Sequence, residues 1–258
     1  HSGLGVSPAR PVSEDVSMST KVSRSNAASR IAGVAACCFA AVLVAAPWWG
    51  SIATERLIGE FMVYLALATL WNLLAGYTGL VSVGQQAFVG IGAYTLISLA
   101  LLGGWNPILA VPVAGLVAAI IAMPIGKLVF RLQGAYFAIG TWVIAEAIRL
   151  FVAQITVLGG GSGISLPTDI MKMVGETKFW REATIYWLAL ALGFGALALV
   201  YGLLRSKLGL ALTAIRDNEL ASESLGVRIE RIKFTVYVLV AGMTGMIGGL
   251  IELQKVRM

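Results

Sequence analysis

Histidine and cysteine are nearly missing from this chain of 258 residues, which carries one histidine, His1, and two cysteines, Cys37 and Cys38. A single terminal imidazole excludes Ser-His triads, imidazole bases and His-built zinc sites. Adjacent cysteines cannot frame a disulfide scaffold and are too few for a metal site, so they read as small core residues of an apolar segment. Charge is also scarce. Asp, Glu, Lys and Arg make up 12% of the chain, about half of what a soluble domain carries. The Gly-Lys-Ser/Thr ending of a nucleotide loop is absent as well. Gly126-Lys127 is followed by Leu128, and the run Gly159-Gly160-Gly161-Ser162-Gly163 holds no lysine. With no ligand cluster, nucleophile-base pair or phosphate loop, the chain is expected to be no enzyme and to bind no cofactor or metal.

What it has is apolar length. Hydrophobic residues make up 58% and the mean hydropathy is +0.86, more than a soluble surface can hide. A spanning helix needs roughly 20 largely apolar residues. By that measure seven spans are expected, at about 31–50, 57–75, 86–102, 108–130, 135–157, 184–204 and 232–251. The fold class is therefore all-α, a polytopic transmembrane helical bundle. The first span ends in Pro47-Trp48-Trp49-Gly50, an interfacial aromatic pair without a small-residue cleavage motif, so it reads as retained. Residues 1–29, rich in Ser, Pro and Arg, read as a disordered tail. Residues 1–17 read as a remnant or upstream readthrough ahead of a start at Met18. The transmembrane domain is expected over 30–251, with 252–258 as a tail.

Basic residues give the orientation. If the N-terminus is cytoplasmic, Arg10, Lys21, Arg24, Arg30, Lys127, Arg131, Arg205, Lys207, Arg216, Arg228, Arg231 and Lys233 fall inside. Arg56, Lys172, Lys178, Arg181, Lys255 and Arg257 fall outside, and Arg149 lies in a span. Twelve against six follows the positive-inside rule and supports an N-in topology. The net charge of +6 thus reports topology, and no nucleic acid partner is needed to explain it. The segment 158–183 becomes an outer loop long enough to fold into a flap.

Between the last two spans lies a polar, helix-patterned block, Arg205 to Lys233, expected on the cytoplasmic side with its loop at 205–232. Leu208, Ala211, Leu212 and Ile215 form one apolar stripe of an amphipathic helix. Asp217-Asn218 breaks that helix and offers an N-cap to a second one. Glu219 and Glu223 suit its early, positive end, and Gly226 is a natural stop.

Few polar groups remain for the membrane. Glu146 and Arg149 stand three apart on one helix face and can pair. They read either as the polar lining of a substrate path or proton relay, or as an internal pair that fixes helix packing. Glu60, near the start of its span, reads as interfacial. Gly76 to Tyr94 holds five glycines beside Gln85 and Gln86, which fits a broken helix near a ligand, with Gly90 on the path, or a tight turn with close packing. Ala241, Gly245 and Gly249 recur every fourth residue, a small-residue packing stripe suited to a neighbouring helix or a second transmembrane subunit.

Several stretches together carry a resemblance. Ala214-Ile-Arg-Asp-Asn-Glu-Leu-Ala-Ser-Glu-Ser-Leu-Gly226, followed by Arg231-Ile-Lys-Phe234, resembles the cytoplasmic "EAA" loop of ABC importer permeases. Trp71-Asn-Leu-Leu-Ala-Gly-Tyr-Thr-Gly-Leu80, Gly84-Gln-Gln-Ala-Phe-Val-Gly-Ile-Gly-Ala-Tyr94 and Leu132-Gln-Gly-Ala-Tyr-Phe-Ala-Ile139 are similar to the branched-chain amino-acid permease branch, over about residues 57–250. The general motif places Glu-Ala-Ala where this chain has Leu220, Ala221 and Ser222. Its acids are Glu219 and Glu223 instead, which leaves the motif's salt bridge unassigned.

The resemblance implies a permease subunit in a bacterial inner (plasma) membrane. Its implied partners are ABC ATPase subunits, a second homologous permease subunit, an extracytoplasmic substrate-binding protein and an amino-acid substrate. By the same resemblance, 217–226 is the coupling helix seated on the ATPase, with Arg216, Asp217, Glu219, Ala221, Glu223 and Gly226 as its coupling residues. Branched-chain or other hydrophobic amino acids are the implied cargo, with urea or short amides as an alternative in the same class. A proton-coupled secondary transporter built on Glu146 and Arg149 is the rival reading from the residues themselves. Family members continue past the equivalent of Gly249 with further spans, so this chain is expected to be incomplete.

Overall fold

The structure is a computed structural model that describes residues 38–132, 134–155, 167–224 and 226–255. The tail at 1–29, the start of the first expected span and the glycine run at 159–163 lie outside the described residues. Two compact units divide the chain at residue 43, and of the first, 1–43, only the opening of helix α1 (Cys38–Trp48) is described. The free Cys38 thiol is exposed on that helix, so it is not the core residue that its apolar neighbours suggested.

Among the described residues, six helices have the length and apolarity to cross a membrane: α2 (Ile52–Asn72, continued as a π-helical turn through Tyr77), α3 (Gln85–Gly103), α4 (Pro107–Val129), α5 (Ala135–Ala153), α7 (Lys178–Arg205) and α10 (Ile229–Lys255). Three short helices complete the order: α6 (Thr168–Lys172), α8 (Lys207–Asp217) and α9 (Glu219–Ser224). The described residues contain no strand. α1 is too short to cross within the described residues, so six of the seven expected spans have their helices here.

Side-chain caps set the helix starts. Ser51 Oγ accepts from Thr54 N at 3.3 Å, Asn106 Oδ1 from Ile108 N at 3.0 Å and Thr177 Oγ1 from Trp180 N at 3.4 Å. Each satisfies an N–H that the helix itself leaves open. Thr177 caps α7 so that it starts at Lys178, six residues before the expected 184, and this brings Glu182 into the helix. Buried Glu182 pairs with Arg56 at 3.2 Å and so ties α7 to α2.

The packing centre is α10, which lies mainly against α4 and α3. Glycines make this possible. A Cβ on Gly92 would overlap the Gly245 carbonyl, one on Gly248 would overlap Val89 backbone, and one on Gly115 would meet Met246 and the Gly242 carbonyl. The stripe Ala241, Gly245, Gly249 therefore packs inside this chain: Gly245 against Ala118 and the backbones of α3 and α4, Gly249 against Leu96 and Ala114. Lipid tails offer no hydrophobic force between helices, so backbone approach of this kind holds the bundle.

α5 is covered least, with Tyr136, Trp142, Val143, Leu150 and Phe151 all exposed. At one end of the bundle Asn106 Nδ2 donates to Met173 O at 3.2 Å and Arg56 meets Glu182. The segment around α6 is folded there, with Met171 and Val174 buried in the core. The opposite end carries α8, α9 and the turn after α2, where the Arg216 guanidinium lies 5.5 Å from the Tyr77 ring centroid.

Candidate functional site

The Gly-rich stretch after α2 is a genuine break in helical structure. α2 widens into a π turn at Leu73–Tyr77, Thr78 Oγ1 donates to Leu74 O at 2.6 Å, and Gly79 takes φ +70°. That left-handed conformation needs glycine, because a Cβ would cost roughly 1–2 kcal/mol there. Residues 79–82 then run without helix. Trp71 Nε1 donates to Ser82 O at 3.3 Å and Val83 N donates to Thr141 Oγ1 at 3.2 Å. Neighbouring side chains thus satisfy part of the broken backbone, as a protein buried in lipid requires.

Gln85 opens α3, and its Nε2 donates to the fully buried Thr244 Oγ1 at 3.1 Å. Thr244 is fifteen residues into α10, about 22 Å along it at 1.5 Å per residue. The first turn of α3 therefore sits beside the middle of α10, deep in the bundle.

The two glutamines part ways at this point. Gln85 is spent on the α3–α10 bond and does not line the neighbouring cavity. Gln86 does, together with Gly90 and Tyr94 of α3 and Glu146 and Arg149 of α5; the cavity measures about 460 Å³. No atom beyond its own helix crowds the Cβ position of Gly90, so the cavity stays open there. Arg149 Nε and Nη2 donate to Glu146 Oε2 and Oε1 at 2.9 and 2.5 Å, a two-pronged fork. Their side chains remain 66% and 43% exposed, so the pair faces the cavity with surface to spare. Glu60 is exposed on α2, far from this group in sequence and outside the cavity lining.

At the α8–α9 end, Ser206 caps α8, and Leu212 and Ile215 are buried while Leu208 is exposed. The stripe is thus narrower than its spacing suggested, and Gly209 completes it by lying against the Leu204 backbone. Asn218 Oδ1 accepts from Ala221 N at 3.0 Å, the N-cap of α9. The helix closes with Val227 N on Ser222 O at 3.1 Å and Gly226 N on Glu223 O at 2.9 Å, a Schellman pattern with Gly226 at φ +83°. Two contacts hold this unit to the bundle. Glu219 Oε1 accepts from Lys233 Nζ at 2.7 Å, and Arg216 stacks over Tyr77 while pairing with Asp217 at 3.3 Å. Leu220, Ala221 and Glu223 are exposed, Leu220 to 79%, and Leu220 and Glu223 line a cavity of about 610 Å³ that α9 shares with Leu80, Phe130 and Phe137 of the bundle.

The structure thus gathers two groups from the residues singled out in the sequence: Gln86, Gly90, Glu146 and Arg149 at a mid-bundle cavity, and Arg216 to Gly226 at one end. Thr141 and Thr244 join them without a local sequence signal, since their partners lie far away along the chain; Tyr77 and Lys233 stand in stretches that carry the family resemblance, which does not show their contacts to Arg216 and Glu219. The buried acids Glu55, Glu182 and Glu252 are also not legible in the sequence, because apolar runs alone leave Glu55 and Glu182 before their spans and Glu252 after its own.

Residues 53–257 match the family described as "Branched-chain amino acid transport system / permease component". The high-affinity branched-chain amino acid transport system permease protein LivM of Escherichia coli is 32% identical over 82% of this chain and 55% of its own length. Its Salmonella typhimurium counterpart is 31% identical over 83% and 56%. A guanosine ABC transporter permease protein of Bacillus subtilis, NupQ, is 22% identical over 72% and 62%. This chain spans about half the length of the first two relatives. No solved structure matches it significantly. Among the described residues, six helices are long and apolar enough to cross a membrane, as a multi-pass membrane protein requires. By the extent of that match and the helical bundle that underlies it, the chain belongs to the family of branched-chain amino acid transport permeases.

Proposed function

We propose that this protein is the non-catalytic transmembrane subunit of an ATP-driven importer, and that its cargo is a branched-chain or other hydrophobic amino acid. The observation that carries this reading is the α8–α9 unit. It is capped at both ends and tied to α10 through Glu219–Lys233 and to the break after α2 through Arg216–Tyr77, yet it leaves Leu220, Ala221 and Glu223 exposed. A rigid peg anchored to moving helices and open on its far face suits a groove on an ABC ATPase. The break at 73–84 then connects that peg to the start of α3, where Gln86 lines the cavity with Glu146 and Arg149. A carboxylate and a guanidinium side by side match the two charges of an amino-acid backbone. A second homologous permease subunit would cover the open face of α5, and an extracytoplasmic binding protein would deliver the cargo.

The test is uptake of radiolabelled leucine into proteoliposomes holding the full complex, with ATP inside and loaded binding protein outside. Deleting 217–226 is expected to abolish leucine-stimulated ATP hydrolysis while the subunits remain in the membrane. Undiminished uptake by that deletion would sink the coupling assignment. Urea and guanosine, the latter because of the Bacillus subtilis relative, are run as competitors to read cargo class. Uptake by this chain alone under a pH gradient, lost in Glu146→Gln, would replace the ATP-driven reading with a proton-coupled one.

A further inference from the structure

A second cavity, of about 430 Å³, lies where α4 ends and α10 begins. Lys127, Phe130, Arg131, Glu230, Arg231 and Phe234 line it. Three cations face one carboxylate, and none of the three forms an ion pair with a described residue; each is exposed. Lys127 sits in the last turn of α4 and Arg231 in the first turn of α10. They therefore stand where the two spans leave the hydrocarbon, at the depth of lipid headgroups. Phe130 makes a firm floor, with its ring centroid 6.1 Å from Phe234, 5.7 Å from Tyr237 and 5.9 Å from Phe137.

The basic cavity does not stand alone. Phe234 also lines an apolar groove of about 640 Å³ that runs up the same helix pair past Gly115, Ala119, Met123, Val238 and Met246. Gly115 and Gly242 let α4 and α10 approach closely along this groove. A cationic pocket at the membrane surface that opens onto an apolar channel toward the bilayer centre has the two halves of a lipid site. The charge selects a phosphodiester and the groove selects an acyl chain.

We propose that the α4–α10 cleft binds one anionic phospholipid, with its phosphate held by Lys127, Arg131 and Arg231 and one acyl chain lying in the groove beyond Phe234. A soluble anion would use the basic pocket and leave the groove empty. A second protein helix would use the groove and leave three like charges crowded together and unpaired. A phospholipid with a net negative headgroup satisfies both. The site is independent of the cargo and of the coupling assignment, because it shares no residue with the cavity at Glu146 or with α8 and α9.

Native mass spectrometry of the purified full chain, released from mixed micelles of phosphatidylglycerol and phosphatidylcholine, tests this. Phosphatidylglycerol is expected as a single retained adduct, and phosphatidylcholine is not. Neutralising one cation, Arg231→Gln or Lys127→Gln, should lower retention about fivefold, and Lys127→Gln/Arg131→Gln/Arg231→Gln about a hundredfold. The single variants carry the test if the triple fails to fold. Equal retention of the two lipids, or full retention by the charge variants, overturns the site. So does binding of glycerol 3-phosphate as strong as that of the intact lipid, which would make it a plain anion pocket. A lipid-free dimer of this chain would assign the groove to a second copy instead.

Discussion

At the scale of single residues, local chemistry was the part most readable in the sequence. Asn218 and Gly226 flank a six-residue helix, and only a side-chain cap and a left-handed stop can hold so short a helix. Both residue types announce those roles. Gly226→Val should therefore strain the stop by about 1–2 kcal/mol, whereas Gly226→Asn should be milder because asparagine tolerates that conformation. Hydrogen exchange of the 219–224 amides would rise in the valine variant, and leucine-stimulated ATP hydrolysis would fall. Equal behaviour of the two variants would remove the argument from backbone conformation. The Glu146–Arg149 fork makes a second claim at this scale. Lysine cannot form the two-pronged contact that arginine makes here. Arg149→Lys should thus raise the KM for uptake and leave basal ATP hydrolysis unchanged, as measured on the reconstituted complex.

At the scale of elements, the spans came close to their sequence bounds because apolar length and capping residues decide them together. Contacts between elements were much less legible. The repeat of Ala241, Gly245 and Gly249 shows a packing face but says nothing about which helix meets it. The answer, α3 and α4, depends on Gly92 and Gly115, more than 100 residues earlier. The break after α2 was visible as five glycines. Its depth was not, because that rests on the bond between Gln85 and Thr244. A graded substitution series follows from the crossing. Gly92→Ala places a methyl against the Gly245 carbonyl, and backbone cannot yield as a flexible side chain can. It should destabilise the fold by about 1–3 kcal/mol, read as a lower midpoint of thermal unfolding in detergent. Gly195→Ala, with open space around it, should leave that midpoint where it was. If the two variants melt together, α3 and α10 do not cross as closely as described.

At the scale of the whole bundle, two independent lines bear on which loops share an end. Charge counting puts twelve basic residues on one side and six on the other. The structure sorts the loops without using charge: Asn106 with Met173 and Arg56 with Glu182 lie at one end, and Arg216 with Tyr77 and Glu219 with Lys233 at the other. The loops at the second end are those counted as cytoplasmic, and those at the first end are the ones counted as outer. Agreement of this kind is a constraint, since a single span missed between residues 52 and 255 would have mixed the two sets. It yields a labelling pattern. In a background with Cys37 and Cys38 changed to serine, Ser206→Cys and Ser224→Cys should react with a membrane-impermeant maleimide only in inside-out vesicles. Thr177→Cys and Asn106→Cys should react only in right-side-out spheroplasts. Labelling of Ser224→Cys from outside would reverse the topology and place α9 out of reach of any cytoplasmic ATPase. Labelling of position 177 from inside would mean that the chain between them crosses the membrane an even number of times, against the single long span of α7.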